Sequence, residues 1–562
     1  MPPAGGARER VCSPLSPLSF VLSTATATAF TTSCNRVQSP GLAPYGHGSF
    51  QRRTLLFGIA ALMVLQCHSH ALVLIAGPVD HWCKPPAEFS NLSAHGWKHI
   101  GIPWDERGHH SRCRMYVQPF IPGSNSTSDQ QATVPCTAWD YNPKDAMLTA
   151  RSSWNLVCHR EWLLAVGDAV YMSGAVFLVP VAGYLADTVG RQPVIAAAML
   201  SLVGNSIGSC CSDSYPVYLA TRFVCSACAS TVFVVTIILL YEVTSLRHRA
   251  LYICLTVSAG VLLTDVFIIV LDVLRLPWFL LHVVILSPTF LLLSALCFVY
   301  ESPLWLLTHS RLQKAEALMM RAATINGVEP GQAQESVQKV LSELAKRRRT
   351  EERITPATLI VPGVVRSRAG IVFTTTFAIV LAFYTTSWER TERDSPVMKI
   401  LFICLSVPSY AAMYLALNTV GRKQFLVFML PLLGGICCLC AVAVNFIVPG
   451  FTKMILVVAR DCAVVAMQAN YLCIAELFPT GVRCAVMCAA YAFGRVGAVL
   501  SSILRLLPQH GREDLAFAIV ASAVFFSLVL ALHLPETSYG RHASPTMDEK
   551  KDVLFLIQQA PQ

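Results

Sequence analysis

Gly183-Tyr184-Leu185-Ala186-Asp187-Thr188-Val189-Gly190-Arg191-Gln192 lies where the apolar run 163–186 ends and the apolar run 194–209 begins. A bilayer-spanning helix needs about 20 apolar residues, so this stretch reads as a tight polar hinge between two spans. Asp187 can accept hydrogen bonds near a helix end. Gly190 permits a turn that a side chain would obstruct. Arg191 brings a fork of donors and a positive charge to the headgroup level.

The pattern returns as Asn418-Thr419-Val420-Gly421-Arg422-Lys423, with Arg422 placed 231 residues after Arg191. Glu242 and Arg249 are seven apart, as are Glu476 and Arg483, and the two pairs are offset by 234 residues. Glu301-Ser302-Pro303 and Pro535-Glu536-Thr537 close the halves, Glu301 and Glu536 being offset by 235. Three matched landmarks in one order predict two homologous halves of six spans each, the parallel-repeat arrangement of some secondary transporters. The expected fold is an all-α membrane protein with twelve transmembrane helices in two pseudo-symmetric six-helix bundles.

Composition agrees. Of 562 residues, 54% are hydrophobic and 14% charged, well below the charged fraction of a soluble domain. A soluble chain would have to absorb a dozen 20-residue apolar runs into its cores. The formal net charge of +10 fits Lys and Arg in cytoplasmic loops and is no argument for nucleic acid. Most of the 21 cysteines lie in apolar runs such as Ile436-Cys437-Cys438-Leu439-Cys440, where a thiol packs as a small hydrophobe.

In chain order, residues 1–50 are Pro-, Ser-, Thr- and Gly-rich and read as a disordered cytoplasmic tail. The Thr-rich run Ser19–Ala29, after Arg8 and Arg10, leaves a cleaved signal peptide as the alternative. The N-terminal bundle is expected over 51–300, a central cytoplasmic loop over 301–369, the C-terminal bundle over 370–535 and a cytoplasmic tail over 536–562. Spans are expected near 54–77, 163–186, 194–209, 217–240, 250–270, 277–300, 370–388, 398–417, 424–448, 452–475, 485–505 and 514–534. Within the central loop, 312–323 and 335–345 favour helix. Lys346-Arg347-Arg348-Arg349 is suited either to anionic lipid or to a solvated turn.

The segment 80–161 is too long and polar for a hairpin and reads as an extracellular loop. It holds the glycosylation sequons at Asn91 and Asn125 and four cysteines, Cys83, Cys113, Cys136 and Cys158. An even number of cysteines outside the cell suggests two disulfides, and all three connectivities stay open. Lys and Arg at Arg191, Arg247, Arg249, Arg422, Lys423 and Arg483 mark the opposite side as cytoplasmic, with both termini there.

These residues carry a resemblance. Gly183…Asp187…Gly190-Arg191 resembles the loop signature of the major facilitator superfamily. Within it the chain resembles the organic ion transporter family of organic cation, organic anion and carnitine carriers. The specific marks are Cys136-Thr137-Ala138-Trp139-Asp140-Tyr141, Trp154-Asn155-Leu156-Val157-Cys158, Glu301-Ser302-Pro303-Leu304-Trp305-Leu306, Glu476-Leu477-Phe478-Pro479-Thr480 and Leu534-Pro535-Glu536-Thr537. The last three also occur in sugar carriers of the superfamily, which the outer loop and its cysteines do not fit. The likeness covers about 49–540. It implies alternating access around a central cavity and a small organic ion as substrate; the chain is expected among lipid in the plasma membrane, and facilitated diffusion, exchange with a counter-transported ion and coupling to a proton or sodium ion all stay open. The chain departs from the family at Thr188, where an Arg usually follows the Asp, at Leu304, where an Arg is usual, and at Asn418, where an Asp is common. Each change removes a cytoplasmic charge, which predicts either a less tightly held inner gate or a protein that cycles poorly.

A carrier needs a wet cavity and two packings of nearly equal energy, so charges inside spans are the best clue to its path. They are Asp168, Arg222, Asp265, Arg460, Asp461 and Arg495. Arg495 is the leading candidate, mid-span beside Gly494 and Gly497, which leave room for approach. By the resemblance, anion and carnitine carriers have Arg at this point and typical cation carriers Asp. The alternative is a structural pair with an acid such as Asp168. Arg460 matches the usual Lys position of the family and either lines the cavity or pairs with Asp461. Asp168 and Asp265 are candidates for a proton site or a cation contact. Arg222 is expected to snorkel to the headgroups, and His68 and His70 to pack as neutral rings. Tyr384 and Tyr471 are expected in the lining, where aromatic faces attract organic ions, with Phe233, Tyr171 and Tyr491 behind them.

In the proposed cytoplasmic gate, Asp187 and Arg191 interact with Glu242, Arg249, Glu476 and Arg483 when the cytoplasmic side is closed, and Gly190, Asn418 and Arg422 belong to the same gate. No nucleophile order, metal-ligand cluster or phosphate loop rises above background, so neither an enzyme nor a cofactor or metal is expected. The leading function is secondary transport of small organic anions or zwitterions. The alternatives are an organic cation carrier, a sugar carrier and a transport-inactive membrane receptor or scaffold.

Overall fold

In hydrocarbon every backbone polar group must find its partner inside the protein, and the apolar runs accordingly fold as long helices. A computed structural model describes residues 45–536 apart from 106–107, 118, 120–131, 144–146, 246–247, 348–363, 388–395, 447–448, 479, 506 and 508–511. Six spanning helices form the first half: α1 (Ser49–Ile75), α2 (Trp162–Thr188), α3 (Arg191–Cys210), α4 (Tyr215–Val243), α5 (Arg249–Leu274) and α6 (Trp278–Phe298). Six form the second: α7 (Val364–Thr386), α8 (Pro396–Thr419), α9 (Arg422–Phe446), α10 (Pro449–Leu477), α11 (Arg483–Leu504) and α12 (Glu513–Ala531). Among the described residues eleven of these are long and apolar enough to cross a bilayer. The twelfth, α8, has 24 residues around the apolar stretch Ile403–Leu417, about 36 Å at 1.5 Å per residue. The fold is the expected all-α one. Large apolar side chains point outward all round it, Leu200 64% exposed, Leu291 72% and Phe428 65%, as a lipid-facing surface requires.

Some boundaries differ from expectation. The first helix starts at Ser49, inside the segment expected to be tail. Its first free N–H groups are taken up: Gly48 N donates to Gln51 Oε1 at 3.0 Å and Phe50 N to Asn326 Oδ1 at 2.9 Å. The run 277–300 is broken, Trp278–Leu286 restarting at Pro288, because proline has no N–H to continue the ladder. The expected central helices are present as Leu312–Ile325 and Pro330–Arg347. The tails before 45 and after 536 and the sequon residue Asn125 lie outside the described residues, as do the side chains of Asn418 and of Lys346-Arg347-Arg348-Arg349.

The two halves meet along two helix pairs, α2 on α11 and α5 on α8. Gly183 makes the first contact close: a Cβ there would stand 2.5 Å from Cys488 Cβ and 2.8 Å from the Cys484 carbonyl, the role of small residues at helix contacts in membranes. One face of the molecule, the turn face, carries the turns before α3 and α9. The opposite, loop face carries the segment between α1 and α2. That segment pairs β1 (His81–Cys83) with β4 (Trp139–Tyr141), and β2 (Arg114–Tyr116) with β3 (Thr133–Pro135). Disulfides Cys83–Cys136 and Cys113–Cys158 staple it, with Cα–Cα distances of 5.4 and 5.5 Å. Trp97 is buried in it and donates Nε1–H to the Cys83 carbonyl at 2.8 Å. Asn91 is exposed beside it.

Candidate substrate cavity and gates

The repeated turns share one construction. Gly190 has φ 128° and Gly421 φ 100°, values that favour glycine. At each turn a distant carboxylate covers the N-terminus of the next helix. Glu301 accepts from Arg191 N at 3.0 Å and Gln192 N at 3.2 Å. Glu536 accepts from Arg422 N at 2.9 Å, Lys423 N at 3.3 Å and Gln424 N at 3.2 Å. The free N–H groups and the dipole of a helix start both favour an anion there. Burial pushes the Glu301 carboxyl up from its ordinary value, against the pull of the Ser302, Arg191 and Gln192 amides. This is the physical content of the third matched landmark.

Around these turns lies a buried ion cluster. Arg191, fully buried, donates Nη2 to Asp187 Oδ1, Glu242 Oε1 and the Thr480 carbonyl, each at 3.1 Å. Arg483 donates Nη1 to the same Glu242 oxygen at 3.1 Å. Asp187 accepts from Ala485 N at 2.8 Å and Cys484 N at 3.4 Å, at the start of α11. Four of these contacts cross between the halves, so the bundles are latched together at the turn face. The second-half counterpart is looser: Arg422 Nε stands 3.5 Å from Glu476 Oε1, both partly exposed. Arg249 is held within its own half, donating Nε to the Tyr241 and Thr244 carbonyls at 3.0 Å.

Two of the three departures from the family pattern leave this cluster intact. Thr188 is exposed and its hydroxyl donates back to the Tyr184 and Leu185 carbonyls at 3.1 Å. Leu304 is half-buried beside Trp305, whose Nε1 donates to the Asp187 carbonyl at 2.8 Å. The expected loosening of the inner gate is therefore absent from the Asp187–Arg191–Glu242–Arg483 cluster.

Between the faces lies a narrow cavity shared by both halves. The first half gives it Leu62, Leu65 and Gln66 from α1, Phe233 from α4, and Val257 and Val261 from α5. The second gives Val380, Phe383 and Tyr384 from α7, Met467 and Tyr471 from α10, and Tyr491 and Arg495 from α11. Arg495 is 5% exposed. Its Nε donates to Tyr491 Oη at 2.9 Å, with Nη2 on the same oxygen, and its Nη1 donates to Tyr384 Oη at 2.5 Å and Met172 Sδ at 3.1 Å. Its guanidinium also lies 4.8 Å from the Tyr491 ring centre and 5.6 Å from that of Tyr384. Among the described residues no carboxylate pairs with it. Two phenols, a thioether and two aromatic faces hold the cation in an otherwise apolar chamber.

Three other expected lining residues lie elsewhere. Arg460 pairs with Asp265 at 3.2 Å, joining α10 to α5, and Asp461 lies at 3.9 Å. Asp461 accepts from Ser406 Oγ at 2.7 Å and Tyr410 Oη at 3.4 Å on α8; adjacent helix residues face different ways. Asp168 meets Arg505, not Arg495, at 3.9 Å near the loop face. Arg222 does not snorkel: it is buried, donates to the His68 carbonyl and lies 4.2 Å from the Tyr171 ring centre. His68 packs against Thr289 Oγ1 at 3.0 Å, and His70 bonds the Gln66 carbonyl at 2.8 Å. Gly494 and Gly497 face α7, a Cβ at Gly497 falling 2.6 Å from the Phe377 carbonyl; they seat α11 against α7. Sequence reasoning missed Gln66 and Met172 as neighbours of the site. A lone amide inside an apolar span is the signal that could have found Gln66; a methionine in such a run gives none.

Comparison with known proteins agrees with this architecture. The sugar (and other) transporter family model matches residues 123–543. Organic anion transporter 3 of Rattus norvegicus is 28% identical over 507 residues, covering 85% of this chain and 90% of its own. The organic cation transporter protein of Drosophila melanogaster is 26% identical over 515 residues, covering 87% and 90%. Among solved structures, the xylose transporter XylE from E. coli in a partially occluded inward open conformation has a TM-score of 0.54 at 14% identity, covering 87% and 99%. The human organic anion transporter MFSD10 has a TM-score of 0.51 at 13% identity, covering 86% and 99%. Twin six-helix halves, capped Gly-Arg turns and a family match over more than half its length lead to one conclusion: the chain belongs to the sugar (and other) transporter family.

Proposed function

We propose that this chain is an alternating-access carrier of small organic anions. The observation that carries it is Arg495, a buried cation in a chamber walled by both halves, without a carboxylate partner among the described residues. A fixed positive charge in low dielectric attracts an anion and repels a cation. The walls, Leu62, Val257, Val380 and Phe383 against Tyr384, Tyr471 and Tyr491, suit an apolar or aromatic body carrying one carboxylate or sulfonate. The acids that kept a cation carrier in view, Asp265 and Asp168, are paired with Arg460 and Arg505 and do not line the chamber. The names of the relatives, organic anion transporter 3 among them, support the same substrate class.

In mechanism, the substrate anion takes the donors of Arg495 from Tyr384 and Tyr491. Tyr384 lies on α7 and also reaches Ser69 Oγ on α1 at 3.4 Å, so occupancy of Arg495 is felt by a contact between halves. Release of the turn-face latch then opens the other side. The turn face is the cytoplasmic one and the disulfide-stapled loop extracellular, in keeping with the basic residues on the first and an oxidising compartment for the second. A plasma-membrane location follows.

The test is uptake by expressing cells of a radiolabelled monoanion, dicarboxylate, monocation and carnitine, with and without Arg495→Ala. Anion uptake should fall at least about tenfold in the variant while surface abundance holds, the loss expected for a charge-assisted contact. Unchanged anion uptake, or saturable uptake of the cation alone, would refute the assignment.

A further inference from the structure

We propose that the loop-face domain carries a binding site for a divalent transition-metal ion of the zinc type, with His95, His99 and His110 as ligands. His95 and His99 are four apart on the helix Ala94–Gly101, so they share one face of it. Two histidines at this spacing form the standard zinc-gripping pair on a helix. Ser93 caps the helix, accepting from Gly96 N at 3.2 Å, which holds the turn bearing His95 and His99.

The third ring comes from the next hairpin. Trp104 pairs with His110 across an antiparallel bridge, and Ser111 N donates to the Pro103 carbonyl at 2.8 Å. This brings His110 against His99, their ring centres 5.3 Å apart and their planes at 89°. His95 and His99 are 4.6 Å apart, also at 89°. Tetrahedral zinc with metal–nitrogen bonds of about 2.0–2.1 Å sets imidazole centres roughly 5 Å apart; the two adjacent pairs stand at this spacing, and closing the third side takes a turn of the exposed His95 ring toward His110. His95 and His99 are exposed and free to turn their nitrogens inward.

His110 is prepared as a ligand. Its Nδ1 is buried and has no hydrogen-bond partner among the described residues. Trp104 covers the ring at 4.2 Å between centres. Lys98 shares a cleft with His110 and is paired there with an acid, its Nζ bonding Asp80 at 3.2 Å and lying 3.8 Å from the Trp82 ring centre. Three protein ligands leave a fourth position for water. A competing group, His81 with Cys113 and Cys158, lies in the same domain, but its sulfurs are joined to each other as a disulfide.

The experiment is a zinc titration of the purified full-length protein in detergent, without a polyhistidine tag, followed with a competing fluorescent chelator. The expected result is one tight Zn2+ per chain, weakened at least about tenfold by His95→Ala and by His99→Ala and unchanged by His159→Ala. The two exposed positions decide the outcome, so the test does not depend on His110→Ala folding. Three results each overturn the proposal: no binding at micromolar Zn2+; wild-type affinity in His99→Ala; or binding that appears only after thiol reduction and is lost in Cys113→Ser, which moves the ion to the His81 group.

Discussion

Glu242→Gln tests the turn-face latch directly. One Glu242 oxygen accepts from Arg191 in its own half and from Arg483 in the other, and the side chain is wholly buried. The amide keeps the volume and removes the charge. Removing one partner of a buried pair costs about 3–5 kcal/mol. Part of that is common to both conformations, because Arg191 keeps Asp187 in its own half. The share belonging to the closed state is the Arg483 contact, about 2–3 kcal/mol on the same scale. At about 1.4 kcal/mol per tenfold, the equilibrium should shift roughly 30- to 150-fold toward the conformation open at the turn face. Cys484 and Cys488, both fully buried at the α2–α11 contact, are native reporters. Their alkylation by an impermeant maleimide in inside-out vesicles, resolved by peptide mass spectrometry, should accelerate by at least about tenfold, within that shift. Cys225 and Cys437, buried elsewhere, should not follow. Equal rates in variant and wild type would refute the latch, and acceleration at all buried cysteines would indicate unfolding instead.

Exchange of the charges in Glu242→Arg with Arg483→Glu should partly restore uptake lost in either single variant; no restoration would count against a direct pair. Asp265→Asn and Arg460→Gln should each lower thermal stability, but the double variant should lose less than the sum by about 2 kcal/mol of coupling, read from melting curves of purified protein. Gly190→Ala should damage expression and melting temperature more than Gly421→Ala, because its Cβ would clash with Glu301 Oε2 where that of Gly421 would stand 3.1 Å from Glu536 Oε2. The bonds removed by Cys83→Ser and Cys113→Ser close loops of similar length, 53 and 45 residues. Each loss should cost the loop-face domain a similar amount, at most about 4 kcal/mol, seen as protease sensitivity of that segment before the rest of the chain.

The alternating conformations of this carrier rest on unequal halves. The caps of α3 and α9 by Glu301 and Glu536 are nearly equivalent. The ion clusters beside them are not: Arg191 is completely buried among acids and a carbonyl of the other half, whereas Arg422 is partly exposed and stands farther from its acid, Glu476. Asn418 stands at the second-half position where the first half has Asp187, and an amide lacks the charge that seats Asp187 on the start of α11. The contacts that latch the two halves together are thus concentrated around the first-half turn.

Length and order of the apolar runs, the doubled Gly-Arg turns and the matched glutamates determined the helical membrane fold, its division into halves and the residues of the turn face. Those are local properties: a span is a count of apolar residues, and a turn that needs positive φ shows its glycine. Which intramembrane charge faces which was not local. Asp168, Asp265 and Arg460 share with Arg495 a place inside an apolar run, and although Arg495 ranked first among them, nothing along the chain named the partner of any. Only the packing of α5 on α10 and of α2 on α11 sent three of them to partners and left Arg495 with tyrosines. Helical periodicity states the face a residue occupies relative to its neighbours; the identity of the surface opposite that face is decided when helices far apart in the chain come together.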